Sequence, residues 1–83
     1  MTYVKGIYQS NDCGNGKKIV NSIDCEAAGR SLGLRIGDLN ENSRDWTGYC
    51  YELEGYTYFN KQSGIATEMA SPICVKGKSP SYH

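Results

Sequence analysis

The sequence predicts an α+β fold with two disulfides, in which one helix packs on a small antiparallel sheet. Three observations support this prediction: four widely spaced cysteines, one segment with helical periodicity, and several short alternating segments rich in tyrosine. A chain of 83 residues with one Phe, one Trp and two Met has a core of marginal stability. Crosslinks are therefore needed for stability.

The cysteines are even in number, and none belongs to a Cys-x-x-Cys pair; they are Cys13, Cys25, Cys50 and Cys74. Zinc ligands usually come in pairs two to four residues apart, so this spacing indicates disulfides rather than a metal site. Disulfides persist in oxidising compartments, which predicts an extracellular or cell-surface protein. Four cysteines allow three pairings, and spacing alone leaves all three open.

A helix is predicted over residues 23–32, with Asn21 or Ser22 as its N-cap. Asp24 and Glu26 place negative charge in the first turn, where it complements the helix dipole. Mostly small residues recur on one stripe at spacings of three and four, namely Cys25, Ala28, Gly29 and Leu32. This stripe predicts a helix face that packs closely on the sheet.

Four strands are predicted, because four short segments rich in aromatic and β-branched residues lie between turn-forming residues. The first covers residues 3–8 and the last covers residues 73–76. Between them, residues 46–53 and 56–59 form a hairpin around the turn Glu54-Gly55.

The other segments are predicted to contain little regular structure. Residues 19–20 form a short extended piece, and residues 35–45 and 61–70 form polar loops. Residues 1–76 make up a single disulfide-stapled domain, and residues 77–83 form a flexible tail.

Charge and composition exclude several classes of function. Nine basic and nine acidic residues cancel, which predicts no nucleic-acid partner. No apolar run approaches the roughly 18 residues of a membrane span, so we expect no membrane insertion. The one histidine is the terminal His83, and no constellation of catalytic groups is visible, so we expect no enzymatic activity and no cofactor.

Oxygen-bearing side chains alternate in one polar loop, in the order Asp38, Asn40, Asn42 and Asp45. The loop imitates the start of an EF-hand, but Ser43 stands where that motif needs glycine and Tyr49 stands where it needs a bidentate glutamate. A calcium site of another kind is the weaker alternative. We expect a plain hydrophilic loop and no metal ligand.

Tyrosines give the hairpin a candidate binding surface. Alternation places Tyr49 and Tyr51 on one face of their strand and Trp46 and Cys50 on the other. If Cys50 is bonded to the helix, its face is buried and the tyrosine face is exposed. Tyrosines of the return strand join that face in one register and leave it in the other. The candidate ligand-binding residues are Tyr49, Tyr51, Tyr56 and Tyr58.

Adjacent tyrosine rings with little charge suit stacking on sugar rings or contact with a protein partner. The alternative is that these rings only form strands and cover the second face of a thin sheet.

Several motifs together carry a family resemblance: Cys25-Glu26-Ala27-Ala28, Leu32-Gly33-Leu34, Gly48-Tyr49-Cys50-Tyr51, Tyr58-Phe59-Asn60 and Ile73-Cys74-Val75-Lys76. They resemble the small cysteine-bearing domains, often in tandem, of predicted secreted or surface proteins of dinoflagellates and other marine algae. Two insertions depart from that pattern, Tyr49 before its cysteine and Val75 before the final lysine. The resemblance covers residues 13–76 and implies a secreted or surface module, one unit of a tandem array.

The layout is also similar, more loosely, to apple/PAN modules, in which a disulfide ties a helix to a sheet and another ties the termini together. That similarity implies the pairs Cys25–Cys50 and Cys13–Cys74.

The sequence therefore predicts a non-enzymatic extracellular interaction module that binds carbohydrate or protein through a tyrosine-rich sheet face. Two alternatives belong to other classes. One is a free secreted peptide, such as a signal, toxin or defence factor. The other is a structural component of a cell surface or matrix, for which self-association would be the mark.

Overall fold

A computed structural model describes residues 3–6, 13, 16–67 and 69–76. Strands account for 46% of the described residues and helix for 15%. The predicted α+β class is therefore wrong: the fold is mostly β, with one short helix on a curled, mixed sheet. The balance differs because segments predicted as polar loops form strands.

Six strands and one helix follow one another in the described part of the chain: β1 Tyr3–Lys5, β2 Lys17–Lys18, α1 Ser22–Ser31, β3 Arg35–Ile36, β4 Thr47–Leu53, β5 Tyr56–Gly64 and β6 Ala70–Val75. The order across the sheet is β1-β6-β4-β5-β3, and β2 also pairs with β6. The pairing of β3 with β5 is parallel and the other pairings are antiparallel. The sheet is thus mixed, and the prediction of an antiparallel sheet is also wrong.

The predicted hairpin around Glu54-Gly55 is confirmed, but its second strand continues to Gly64. A bulge makes this extension possible, since Thr47 lies opposite Gly64 whereas Tyr49 lies opposite Asn60. Gly48 permits the close approach, because a Cβ at that position would overlap the backbone of β5. The polar half of β5 is a strand because of its partner, not because of its own composition.

The segment after the helix runs along the outer edge of β5. Backbone amides of three of its residues donate to carbonyl groups at or next to β5: Arg35 to Gly55 (3.0 Å), Gly37 to Thr57 (2.8 Å) and Glu41 to Phe59 (3.0 Å). These bonds cover a strand edge that would otherwise present unpaired backbone groups. They also bring the residues of this segment to one side of the hairpin.

The helix runs one residue ahead of the predicted range and is capped by Asn21, one of the two predicted N-caps. The side-chain oxygen of Asn21 accepts a hydrogen bond from the backbone amide of Asp24 at 2.8 Å. Its buried residues are Cys25, Ala28 and Gly29. At Gly29 the sheet comes so close that a Cβ would overlap the side chain of Thr57. The prediction of a close-packing helix face is confirmed.

Two disulfides join Cys25 to Cys50 and Cys13 to Cys74. Both pairs are those that the apple/PAN similarity implies, so that pairing is confirmed. The first links α1 to β4 and lies within the hydrophobic core, whose other buried residues are Ile19, Ala28, Phe59 and Ile73. We call this the helix-side face of the sheet. The opposite face, which contains the paired residues Tyr51 and Tyr58, is called the aromatic face.

Some predictions fall outside the described residues, namely residues 7–8 of the first predicted strand and the predicted tail, residues 77–83. Within the described part of the chain, α1 lacks the length and apolar character needed to cross a membrane.

Candidate functional site

Four aromatic rings form a row on the aromatic face, in the order Trp46, Tyr51, Tyr58 and Tyr56. Trp46 meets Tyr51 edge-on with ring centroids 6.4 Å apart, and Tyr51 stacks on Tyr58 at 5.2 Å. Tyr58 and Tyr56 lie 6.4 Å apart. Aromatic pairs attract one another at these separations, so the four rings, the aromatic row, support one another.

The rings of the row differ in exposure. Tyr51 is 1% exposed, whereas Tyr56 is 37% exposed. Tyr58 is half-buried, because Tyr51 stacks on it and the backbone of Gly37 lies against its ring. The prediction that Tyr51 faces outward is therefore wrong, since its ring lies beneath neighbouring residues. Tyr56 is the exposed ring of the row, and Trp46 and Tyr58 are each half-buried, so part of each of these three rings is accessible.

Tyr49 lies apart from the row, contrary to the prediction from strand alternation. Its φ of 55° and the adjacent bulge turn its side chain away from the aromatic face. The ring packs against Phe59 at 6.4 Å on the helix-side face, and Lys18 Nζ lies 5.7 Å from its centroid. Trp46 was also misplaced by alternation, because it precedes β4 and contacts Tyr51 instead.

Asn60 holds the segment that carries Trp46. Its buried side chain accepts a hydrogen bond from the backbone amide of Ser43 (2.9 Å) and donates to the carbonyl groups of Ser43 (2.7 Å) and Thr47 (3.0 Å). The same oxygen accepts from the amide of Gln62 at 3.2 Å. Asn60 therefore ties residues 43–47 across the hairpin and fixes Trp46 beside Tyr51.

Sequence reasoning missed this role of Asn60, because an asparagine in a polar run resembles an exposed strand residue. The signal that could have found it is the Tyr58-Phe59-Asn60 motif, in which Asn60 lies in alternation with Tyr58.

The hydroxyl of Tyr51 donates a hydrogen bond to Glu41 Oε1 beneath the row. Burial and then the hydrogen bond and charge of Glu41 raise the pKa of Tyr51, and a hydrogen bond with the Trp46 side chain acts in the opposite direction. Tyr51 thus stays protonated and joins the floor of the row to the segment that runs along β5.

We expect Tyr51 to resist titration while the fold is intact. Its folded-state pKa lies above the unfolded value of 10.0, so its protonation stabilises the fold below that pH, and this stabilisation is lost as the pH rises further. An ultraviolet titration of phenolate absorbance should show one delayed tyrosine that disappears in Tyr51→Phe. Simultaneous titration of all tyrosines, with a native circular dichroism spectrum, would contradict this assignment.

An open cleft of about 470 Å³ adjoins the row. We call it the Trp46 cleft; it is lined by Trp46, Leu53, Glu54, Ala66, Thr67 and Met69. Trp46 belongs to both the lining and the row, and Leu53 is the cross-strand partner of Tyr56, so the cleft lies beside the row. A second cleft, of about 560 Å³, lies on the other side of Glu54 and Met69 and includes Lys5 and Glu52.

Two of the four residues considered for calcium already use a side-chain oxygen in a hydrogen bond. Asp38 Oδ1 accepts the backbone amide of Asn40 at 2.8 Å, and Asn42 Oδ1 accepts the side-chain amide of Gln62 at 2.6 Å. Across the residues that the structure describes, no group of three or more His, Cys, Asp or Glu side chains is placed to hold a metal ion.

Comparisons with known proteins give no relative. No protein-family model matches the chain, and neither a curated protein nor a solved structure matches it. The resemblance to algal cysteine-bearing domains therefore stays a prediction.

Proposed function

We propose that this domain is a non-enzymatic interaction module of the cell exterior, one unit of a tandem array, that binds a carbohydrate or protein ligand on its aromatic row. The observation that carries the proposal is the placement of Trp46 and Tyr56, which are accessible on one face of the sheet while the helix closes the other. Two disulfides indicate an oxidising environment, which supports the extracellular or surface location.

The accessible rings are held in place before a ligand arrives. Tyr56 packs against Tyr58, and the guanidinium carbon of Arg35 lies 6.0 Å from the centroid of the Tyr56 ring. At the other end of the row, the side-chain hydrogen bonds of Asn60 fix the segment that carries Trp46. A side chain that is already ordered loses little conformational entropy on binding, so this arrangement favours ligand contact.

The chemistry of the row suits either ligand class. Trp46 and Tyr56 each present an apolar ring surface, which matches a sugar ring as well as a protein surface. The Tyr56 hydroxyl accepts from Arg35 and can donate its own proton to a ligand, whereas the indole N–H of Trp46 is bonded to Tyr51. Arg35 is exposed and adds charged donors at the Tyr56 end, with its Nη1 atom 3.5 Å from the Tyr56 hydroxyl.

A glycan array tests the carbohydrate form of the proposal, followed by titration of each positive glycan. Trp46 is the sole tryptophan of the chain, so its fluorescence reports occupancy of the row. Tyr56→Ala should weaken binding at least about fivefold, the effect of removing a contact that contributes to affinity.

The matched control is Ile23→Ala, because Ile23 is 80% exposed and lies on the helix across the sheet. This control should leave affinity unchanged. Equal losses in Tyr56→Ala and Ile23→Ala would contradict binding on the row. If no glycan on the array binds, the carbohydrate form of the proposal is wrong. Tyr51→Ala is unsuitable for this purpose, since its buried ring supports the fold.

A further inference from the structure

The Trp46 cleft offers apolar contact and few free polar groups. Trp46, Leu53, Ala66 and Met69 supply most of its lining, and Met69 is 50% exposed. The hydroxyl of Thr67 is already bonded to Thr47 Oγ1 at 2.7 Å. A ligand in this cleft therefore meets mainly hydrocarbon and an indole ring.

Glu54 supplies a negative charge at the cleft. Within the described residues, its exposed carboxylate has no hydrogen bond or ion pair. The neighbouring Glu52 differs, because it accepts the backbone amide of Gly55 at 2.9 Å and lies 3.8 Å from Lys5 Nζ. A ligand that matches this cleft would therefore carry an apolar group beside a cation.

A carbohydrate fits this cleft poorly. Each sugar hydroxyl that leaves water without forming a new hydrogen bond makes the binding free energy less favourable. Among the described side chains that line the cleft, Glu54 is the one whose polar group is free to form such a bond. A large apolar side chain carries no such penalty, and an adjacent Lys or Arg would pair with Glu54.

We infer that the Trp46 cleft binds a segment of a partner protein that presents a large apolar side chain next to a Lys or Arg. This inference rests on the proposed function, because it names the partner class for the cleft that adjoins the aromatic row. The apolar side chain contacts Trp46, Leu53 and Met69, and the cation faces Glu54.

The backbone at the cleft provides variants that should stay folded. Glu54 and Met69 have φ values of 51° and 65°, in the left-handed region that disfavours residues with a Cβ. Glu54-Gly55 has positive φ at both turn positions, a pattern for which Asn-Gly is preferred. Glu54→Asn therefore removes the carboxylate, and Met69→Gly removes the side chain, while both substitutions lower the backbone strain at positive φ.

Selection of a random peptide library, displayed on phage, against the immobilised domain tests the inference. The enriched sequences should share a large apolar residue next to Lys or Arg. A synthetic peptide with the enriched sequence should change the fluorescence of Trp46 and bind more weakly as salt rises, because the pair with Glu54 is exposed to solvent.

Charge exchange tests the role of Glu54 directly. Replacing the basic residue of the peptide with Glu should weaken binding at least about tenfold, and Glu54→Lys in the domain should restore affinity for that changed peptide. Glu54→Asn should remove the salt dependence of the original peptide. Met69→Gly should weaken the same peptide but keep the salt dependence, and the control Ile23→Ala should change neither property.

Three results would overturn the inference: no enriched sequence, enriched sequences without the apolar–basic pair, or an affinity that neither Glu54→Asn nor Met69→Gly changes. If a glycan then binds with sensitivity to Tyr56→Ala, the proposed function survives with another ligand class. If neither a glycan nor a peptide binds, both proposals fail.

Discussion

The double substitution Cys25→Ala and Cys50→Ala should lower the free energy of unfolding by about 3 to 5 kcal/mol. The crosslink spans a sequence separation of 25 residues, which restricts the unfolded chain. Both cysteines are also buried in the core between α1 and β4, so smaller side chains leave a void there. For a domain of this size, such a loss is a large part of its total stability.

The corresponding double substitution at the second disulfide, Cys13→Ala and Cys74→Ala, provides a comparison with the same chemical change. Cys13–Cys74 spans a separation of 61 residues, so its loop-closure entropy is larger by less than about 1 kcal/mol. It does not join the helix to the sheet, and so its removal should leave the amides of α1 protected from exchange. Removal of Cys25–Cys50 should expose them.

Urea unfolding, followed by circular dichroism and Trp46 fluorescence, measures these losses for each double variant. Native hydrogen exchange then locates the region that opens. A loss below about 1 kcal/mol for Cys25→Ala/Cys50→Ala, with α1 still protected, would show that packing alone holds the helix on the sheet.

Asn60→Ala should destabilise the fold by about 2 to 4 kcal/mol, because it leaves several backbone groups without partners. The amide of Ser43 and the carbonyl groups of Ser43 and Thr47 all bond to this one buried side chain. The effect should also reach the binding face, since the same bonds fix the segment that carries Trp46.

Gln62→Ala is the matched control for Asn60→Ala. Gln62 is the next amide side chain on the same face of β5, and its single hydrogen bond to Asn42 is exposed. We expect it to lower stability by less than about 1 kcal/mol. Thermal unfolding compares the two variants, and hydrogen exchange of the Ser43 amide should accelerate only in Asn60→Ala. Equal losses of stability in both variants would contradict the role of Asn60 in holding residues 43–47.

The helix and the hairpin could be predicted from sequence, because their determinants are local. Asn21 caps α1 through a residue three positions away, and Gly55 suits the positive φ of the turn. The small-residue stripe on the helix likewise predicted its buried side. These features depend on neighbours in sequence, which a reader of the sequence can see.

The rest of the sheet could not be predicted, because its strands depend on distant partners. The polar half of β5 pairs with β4 only because Gly48 lets the backbones approach. β3 forms alongside β5, because the backbone amides of Arg35 and Gly37 donate hydrogen bonds to the turn before β5 and to β5 itself. Neither segment carries the alternation of apolar residues that predicts a strand.

The candidate site was predicted in part. Three of its tyrosines do lie together, but Tyr49 does not, because its left-handed φ is one that sequence rules assign to glycine or asparagine. Trp46 was assigned to the wrong face and Asn60 was missed, for a related reason. Their positions come from the tertiary hydrogen bonds of residues 43–47, not from the period of a strand.

NMR spectra of the isotope-labelled domain, with and without a ligand from the array or the peptide selection, test most directly whether the aromatic row and its cleft form the binding surface. We predict that shift changes concentrate at the Trp46 indole, the Tyr56 ring and the Met69 methyl group. The account would be contradicted if the changes concentrated instead at Val20, which precedes the helix and is 63% exposed, and at Ile23, which lies on the helix and is 80% exposed.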